Sequence, residues 1–316
     1  MSRTIPSIVV VVSVVTGCAV SELPAALLDQ AVVSPNGPST DGIPPSVVSP
    51  NGASTDGVSS GVVSPNGPGV TPFKLTGVQP TGLRADGTAV TIAQLTAPWT
   101  GAAIVGSLWT ANVSNGTTIT LRLDDAMSGL AINADLWSYR VSALRDGVWL
   151  PLCTDAAGAP GLADTVHGSW NVATGVTGGG AYDPASATFT VACRGSSIAK
   201  CVELGFTSWT GHQEELATCV RALRGDYCGD GTSYTHEGTM VNLYDQGGIL
   251  ADGIDWSAEA EWGTEGALCV SRKKATRFSQ AGYAKPSCFP HTLKPVASCG
   301  REFHGAASII TELAPQ

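Results

Sequence analysis

Eight cysteines crowd the second half of this 316-residue chain: Cys153, Cys193, Cys201, Cys219, Cys228, Cys269, Cys288 and Cys299. Before residue 150 only Cys18 occurs. An even set with no C-x-x-C spacing reads as disulfides, not as a zinc ribbon or a thioredoxin-like redox site. Four bridges persist only in an oxidising compartment, so the chain is expected to be exported. Eight cysteines can pair in about a hundred ways, and spacing does not choose among them. Cys288 and Cys299, close together in a loop-rich tail, are the favoured pair.

Cys18 belongs to a different signal. Arg3 gives a positive start, and Ile5 to Val15 is a short Val-rich run, too short to span a bilayer. Val15-Thr16-Gly17-Cys18 resembles the bacterial lipobox, an aliphatic residue and two small ones before Cys. The resemblance implies a signal peptide over 1–17 and acyl chains on Cys18. Residue 19 is Ala rather than Asp, which by the enterobacterial sorting rule implies an outer-membrane destination.

Residues 18–72 are expected to be a disordered tether. Val-Val-Ser-Pro-Asn-Gly starts at Val32, Val47 and Val62, a period of 15 residues. Pro-Asn-Gly is turn chemistry, and between the turns there is too little apolar material to form a core. The segment has four acids, Glu22, Asp29, Asp41 and Asp56, and no Lys or Arg. Anionic head groups would repel it and keep it extended.

From about Phe73 the chain becomes globular. Hydrophobic residues make up 43% of the chain, enough for a core, while charged residues are 14%, against roughly 25% in an ordinary domain. A net charge of −9 argues against nucleic acid and against electrostatic docking on anionic lipid. Strands are expected at Ala89–Leu95, Ala103–Trp109, Thr117–Leu123, Trp137–Leu144, Val148–Cys153, Trp170–Val176 and Ala187–Cys193. Further strands are expected at Thr239–Tyr244, Ser257–Trp262 and Ala267–Ser271. Ser197–Leu204, stopped by Gly205, is a short helix candidate. Gly211–Arg224 is the clearest helix. Thr210 and Gln213 have capping-box spacing, Glu214 and Glu215 lie in the first turn, and Arg221 and Arg224 lie in the last. Leu216, Cys219, Val220 and Leu223 form its apolar stripe, and Gly225 stands at the stop. Beyond Ala275 the chain reads as loops. The expected fold is β-rich α+β: one disulfide-braced domain over 73–316, with mainly antiparallel strands and one or two short helices.

Arg224-Gly225-Asp226-Tyr227-Cys228-Gly229-Asp230-Gly231 resembles the signature of the ADYC domain, a family met in exported proteins of myxobacteria and their relatives. The resemblance extends upstream through Trp149–Cys153 and Ala199–Phe206. Downstream it runs through Thr235–Thr239, Asn242–Asp245, Ala258–Trp262 and Gly266–Cys269. It thus covers most of 75–272. Gly225 stands where the signature has Ala, and it suits a helix stop better. The family brings no catalytic residues to carry over.

The residues themselves give weak chemical signals. Asp226, Asp230 and Asp245 can be imagined around Ca²⁺, but their spacing is not that of an EF-hand and Asp beside Gly is ordinary turn chemistry. His212 or His236 with Ser233 and Asp226 can be drawn as a hydrolase triad, as can similar sets in any chain this long. Arg272, Lys273, Lys274 and Arg277 form a small basic patch. No catalytic residue, metal or cofactor is assigned. Asp226, Tyr227 and Cys228 are expected to be architectural. The sequence leans towards a monomeric, lipid-anchored envelope protein that binds an envelope or extracellular ligand or has a structural role. The alternative is an envelope hydrolase with an unfamiliar site near Asp226, Tyr227 and His236.

Overall fold

The computed structural model describes residues 32–36, 75–89, 101–113, 116–128, 136–154, 159–170, 182–235, 239–272, 276–280 and 282–315. The signal segment, Cys18 and most of the tether lie outside the described residues, as do most of the strands expected at Ala89–Leu95 and Trp170–Val176. The first described element is a strand, β1 (Val32–Asn36), formed by the first tether repeat.

Strands β2 (Leu75–Arg84), β3 (Ser107–Val113), β4 (Thr118–Ser128), β5 (Trp137–Arg145) and β6 (Val148–Pro151) follow one another as antiparallel neighbours. Then come β7 (Ala163–His167), a two-residue pair β8 (Ser169–Trp170) and β9 (Tyr182–Asp183), and β10 (Phe189–Cys193). The pairing order is β4-β3-β2-β10-β7-β5, and β4 also pairs with β5. Six strands therefore close into an antiparallel barrel, with β6 added on the outside of β5. Closure leaves the ring without an open edge.

Alternation decides which side chains fill the barrel. On β3, Trp109, Ala111 and Val113 point inward, and on β5 so do Tyr139, Val141 and Ala143. Leu121, Phe189 and Val191 join them. The opposite face of β7 and β10 is not left to solvent. Val166 and Ala192, with Leu136 just before β5, pack into a second core with two helices.

Those helices are α1 (Ser197–Glu203) and α2 (Gln213–Arg224). Ser196 caps α1 by accepting the Ala199 amide at 3.3 Å. The capping box expected for α2 is not formed. Thr210 lies in a 3-10 turn (Ser208–Thr210) and bonds back to Thr207, so His212 takes the cap position without a side-chain bond. The far end is as expected: Gly225 is left-handed at φ 64° and donates to the Arg221 and Ala222 carbonyls.

Beyond the helices lie β11 (Thr239–Asp245), β12 (Ser257–Gly263), β13 (Gly266–Ser271), a one-turn helix α3 (Arg277–Gln280), β14 (Lys294–Val296) and β15 (Ile309–Leu313). They make a six-stranded sheet in the order β1-β11-β15-β12-β13-β14. Its pairs are antiparallel except β13 with β14. Helix α2 packs on β12, β13 and β15, and α1 packs on β7 and β10. The helices thus form a middle layer between barrel and sheet. The loop-rich reading of the tail missed β15. This strand is buried along its whole length and sits mid-sheet between β11 and β12. An apolar run of five residues containing one Thr and one Glu carries too little periodicity to declare itself.

Four disulfides brace the layers: Cys153–Cys193, Cys201–Cys219, Cys228–Cys288 and Cys269–Cys299. The first joins the segment just after β6 to the end of β10, and the second joins α1 to α2. The last two tie the tail to the signature loop and to β13. The favoured pair Cys288–Cys299 is therefore wrong. Each of these cysteines reaches back to a separate element, because the tail runs across the sheet instead of looping on itself. Peptide mapping of the oxidised chain should recover these four linkages with no blockable thiol among the eight cysteines. Replacing the Cys201–Cys219 pair by serines should lower unfolding stability by about 2–4 kcal/mol in a denaturant titration.

Candidate functional site

The signature loop starts where α2 stops. Gly225 turns the chain by its left-handed conformation, and the next residue, Asp226, is fully buried. Arg221, one turn earlier on α2, forms a buried ion pair with Asp226, and the Gly231 amide donates to Asp226 Oδ2 at 2.9 Å. Arg224 donates to the Gly231 carbonyl. The two arginines expected to complement the helix dipole therefore also point into the loop that follows and set its shape. Gly229 allows the loop to lie directly on the β12–β13 turn. A Cβ at this position would stand 2.0 Å from the Glu265 carbonyl oxygen.

Tyr227 is the centre of a second buried network. Its hydroxyl donates to Glu259 on β12. The Arg277 backbone amide donates to Glu259 Oε1 at 2.8 Å, and the Arg277 guanidinium contacts both Glu259 oxygens. Thr311 on β15 donates to Glu259 Oε2 at 2.9 Å, and the Trp262 indole donates to the Thr311 hydroxyl at 2.8 Å. Arg277 also holds the Leu223 carbonyl at 3.0 Å and the Thr235 hydroxyl at 2.8 Å. Tyr227, Glu259, Trp262, Arg277 and Thr311 are all shut off from solvent. Burial, followed by the Glu259 charge, pushes the Tyr227 hydroxyl well above its ordinary range, so it stays protonated and donates. The expected basic patch is corrected here: Arg277 is an interior ion-pair partner, and Lys273 and Lys274 lie outside the described residues.

Among the described residues the drawn triad does not assemble. Ser233 Oγ donates to the Arg224 carbonyl at 2.9 Å, His212 lies by Glu215 at 3.8 Å, and His236 is outside the described residues. Cys228 is bridged to Cys288. The three acids drawn around Ca²⁺ each serve a turn: Asp226 takes the Gly231 amide, Asp230 the Thr232 amide at 2.9 Å and Asp245 the Leu250 amide at 2.5 Å. Among the described residues Glu261 lies close to Cys269 and Cys299, but those sulfurs are joined in a disulfide. The Glu261 carboxylate receives the Gly300 amide at 2.5 Å and the His304 amide at 3.2 Å.

One cluster escaped the sequence reading. Asp164 on β7 is fully buried on the side that faces α1, and Ser138 on β5 donates to its Oδ1 at 2.5 Å. The Glu203 carboxyl on α1 lies against it, and Arg194 bonds Glu203 at 2.8 Å. Burial first, then the negative Glu203, holds the Asp164 carboxyl well above the ordinary carboxylate range. Glu203 and Arg194 line a cleft of about 580 Å³ between the barrel rim and α1, with Cys153 at its edge, and Asp164 lies buried behind them. Asp164 was invisible in the sequence because a lone acid in a short strand looks like an exposed polar position.

Both arrangements give measurable signs. Asp226→Asn and Tyr227→Phe should each lower the melting temperature. The first should cost about 3–5 kcal/mol by stranding Arg221, and the second about 1–3 kcal/mol by removing one donor from Glu259. A variant that keeps its melting temperature would point to a surface role for that residue. For Asp164 the folded-state pKa is raised, so wild-type stability should fall as pH rises through that pKa. Asp164→Asn mimics the protonated form, so its stability relative to wild type should grow from about pH 5 to about pH 8. Thermal melts at both pH values check this.

Residues 101–276 match the ADYC domain family. The match spans the signature loop, α1, α2 and most strands of barrel and sheet, but β1, β2, α3, β14 and β15 fall outside it. No curated protein and no solved structure matches the chain. The disulfide-braced, β-rich fold expected from the cysteine set and strand patterning is present, and the chain belongs to the ADYC domain family.

Proposed function

We propose that this chain is an exported, lipid-anchored cell-envelope protein whose ADYC domain acts by binding or by structural support, without catalysing a reaction. The observation that carries the reading is the burial of the signature itself. Asp226 is shut off from solvent with Oδ2 held by Arg221 and Gly231, Tyr227 spends its hydroxyl on Glu259, and Cys228 spends its sulfur on Cys288. Groups so engaged have nothing to offer a substrate and much to offer rigidity.

The compartment follows from redox chemistry: four bridges in one domain suit an oxidising space outside the cytoplasm. No helix among the described residues is long and apolar enough to cross a membrane. The lipobox-like Val15-Thr16-Gly17-Cys18 then supplies attachment, and the Pro/Gly-rich repeats supply distance from the lipid surface. An outer-membrane position accords with Ala19.

Cys18→Ser tests the anchor. The variant should be released from the membrane fraction or should keep its signal segment. A variant that is cleaved normally and still partitions with membranes would remove the lipid anchor from this proposal.

A further inference from the structure

The strand that closes one edge of the six-stranded sheet is itself a repeat. β1 pairs antiparallel with β11, from Val32 opposite Leu243 to Asn36 opposite Thr239. β15 lies on the other side of β11, so β1 is what covers the outer edge. An open edge would present a row of unpaired N–H and C=O groups to any passing strand. All five residues of β1 belong to the hexapeptide Val-Val-Ser-Pro-Asn-Gly, which recurs unchanged from Val47 and from Val62. An added strand is selected by its main-chain groups and by its alternating side chains. The copy at 47–51 offers the same groups in the same order, with Pro50 in the place of Pro35. Proline is tolerated on an edge strand, so neither copy is barred by it.

Identical strands form identical pairings, so only the connecting chain can tell the copies apart. Between Asn36 and Leu75, where β2 begins, lie 38 residues; between Asn51 and Leu75 lie 23, and between Asn66 and Leu75 only 8. A connection of 23 residues can extend to about 80 Å, beyond the width of about 45 Å of a domain this size. The second copy therefore reaches the β11 edge with slack. Eight residues extend to about 28 Å, which gives the third copy no such slack. The shorter loop is also easier to close, and closing 23 residues instead of 38 favours the second copy by about twofold.

We propose that the β11 edge is an exchangeable dock for the tether, at which the copy at 47–51 replaces the copy at 32–36 in the same register. Docking of the first copy leaves 13 residues between Cys18 and the dock, and docking of the second leaves 28. Their greatest spans are about 45 Å and about 95 Å. The tether thus has two lengths, and passes between them without cleavage and without unfolding of the domain. The exchange rests on the β1–β11 pairing alone, and its meaning as a change of height above a lipid surface rests on the anchor proposed above.

Benzoylphenylalanine in place of the exposed Met240, the register partner of Pro35, tests the exchange in the full oxidised chain. Cleavage before Asp29, Asp41 and Asp56 puts the three copies in separate peptides. After irradiation, adducts should appear on both 29–40 and 41–55, with about twice the yield on the second. The same probe in place of Val148, an exposed residue of β6, should give no tether adducts. Val33→Pro together with Ser34→Pro disables the first copy and should move the adducts to 41–55. In a chain that keeps Met240, this double change should leave the melting temperature and the hydrogen exchange of 239–243 at wild-type values, because the second copy takes the vacated edge. Adducts absent from either peptide in the wild-type tether, adducts lost or exchange at 239–243 accelerated when the first copy is disabled, or equal labelling from position 148 would each overturn the proposal. An adduct yield that falls on dilution would also overturn it, in favour of pairing between chains. None of these readouts involves acylation of Cys18 or a ligand, so their failure would leave the anchor and the binding role as they stand.

Discussion

Much of this structure hangs on the single buried carboxylate of Glu259. Three segments far apart in sequence send donors to it: Tyr227 from the signature loop, Arg277 from α3 and Thr311 from β15, whose hydroxyl in turn accepts the Trp262 indole N–H. A charge with no exposure to water is tolerable only when its lone pairs are used and an opposite charge is in contact. Both conditions are met, and Arg277 is as deeply buried as its partner. Removing either ion would strand the other. Attraction alone gives no large net stabilisation after desolvation. What the network adds is uniqueness, since no other packing of loop, helix and sheet would satisfy all of these groups together.

This explains why a signature of three residues can belong to a domain spread over two β-layers. Asp226 closes the loop against α2 through Arg221, Tyr227 closes it against the sheet through Glu259, and Cys228 closes it against the tail through Cys288. The three directions differ, and each uses a different kind of bond. Between them the loop fixes the seam where the helical layer meets the sheet. Solvent is excluded from that seam, so any binding function has to be sought elsewhere on the surface, and the cleft by α1 lies on the barrel side of the same helical layer.

The sequence made some of this legible and hid the rest for identifiable reasons. Helix α2 was readable because its stripe of Leu216, Cys219, Val220 and Leu223, its acidic first turn and Gly225 are local signals. The barrel strands β4 and β5 were readable because half-buried strands alternate, whereas the strand expected at Ala103–Trp109 begins later, at Ser107, because Gly101–Ile104 forms a 3-10 turn. Strand β7 has no alternation, since one face looks into the barrel and the other at α1, so both faces are buried. Arg277 looked like one member of a surface cluster, and only its contact with Glu259, 18 residues earlier, reveals an interior charge. Disulfide pairing failed for the same reason. The partners of Cys288 and Cys299 are set by how the tail crosses the sheet, a property of tertiary path that spacing does not encode.

The placement of β15 has a consequence for the order of events during biogenesis. This strand is synthesised after every other member of its sheet, yet it occupies a place between β11 and β12. Until it arrives, β11 and β12 have a gap between them, Glu259 lacks the Thr311 hydroxyl, and the face of α2 has no complete floor. The sheet therefore cannot zip up progressively as the chain emerges, and must close by insertion once residues 309–313 are available.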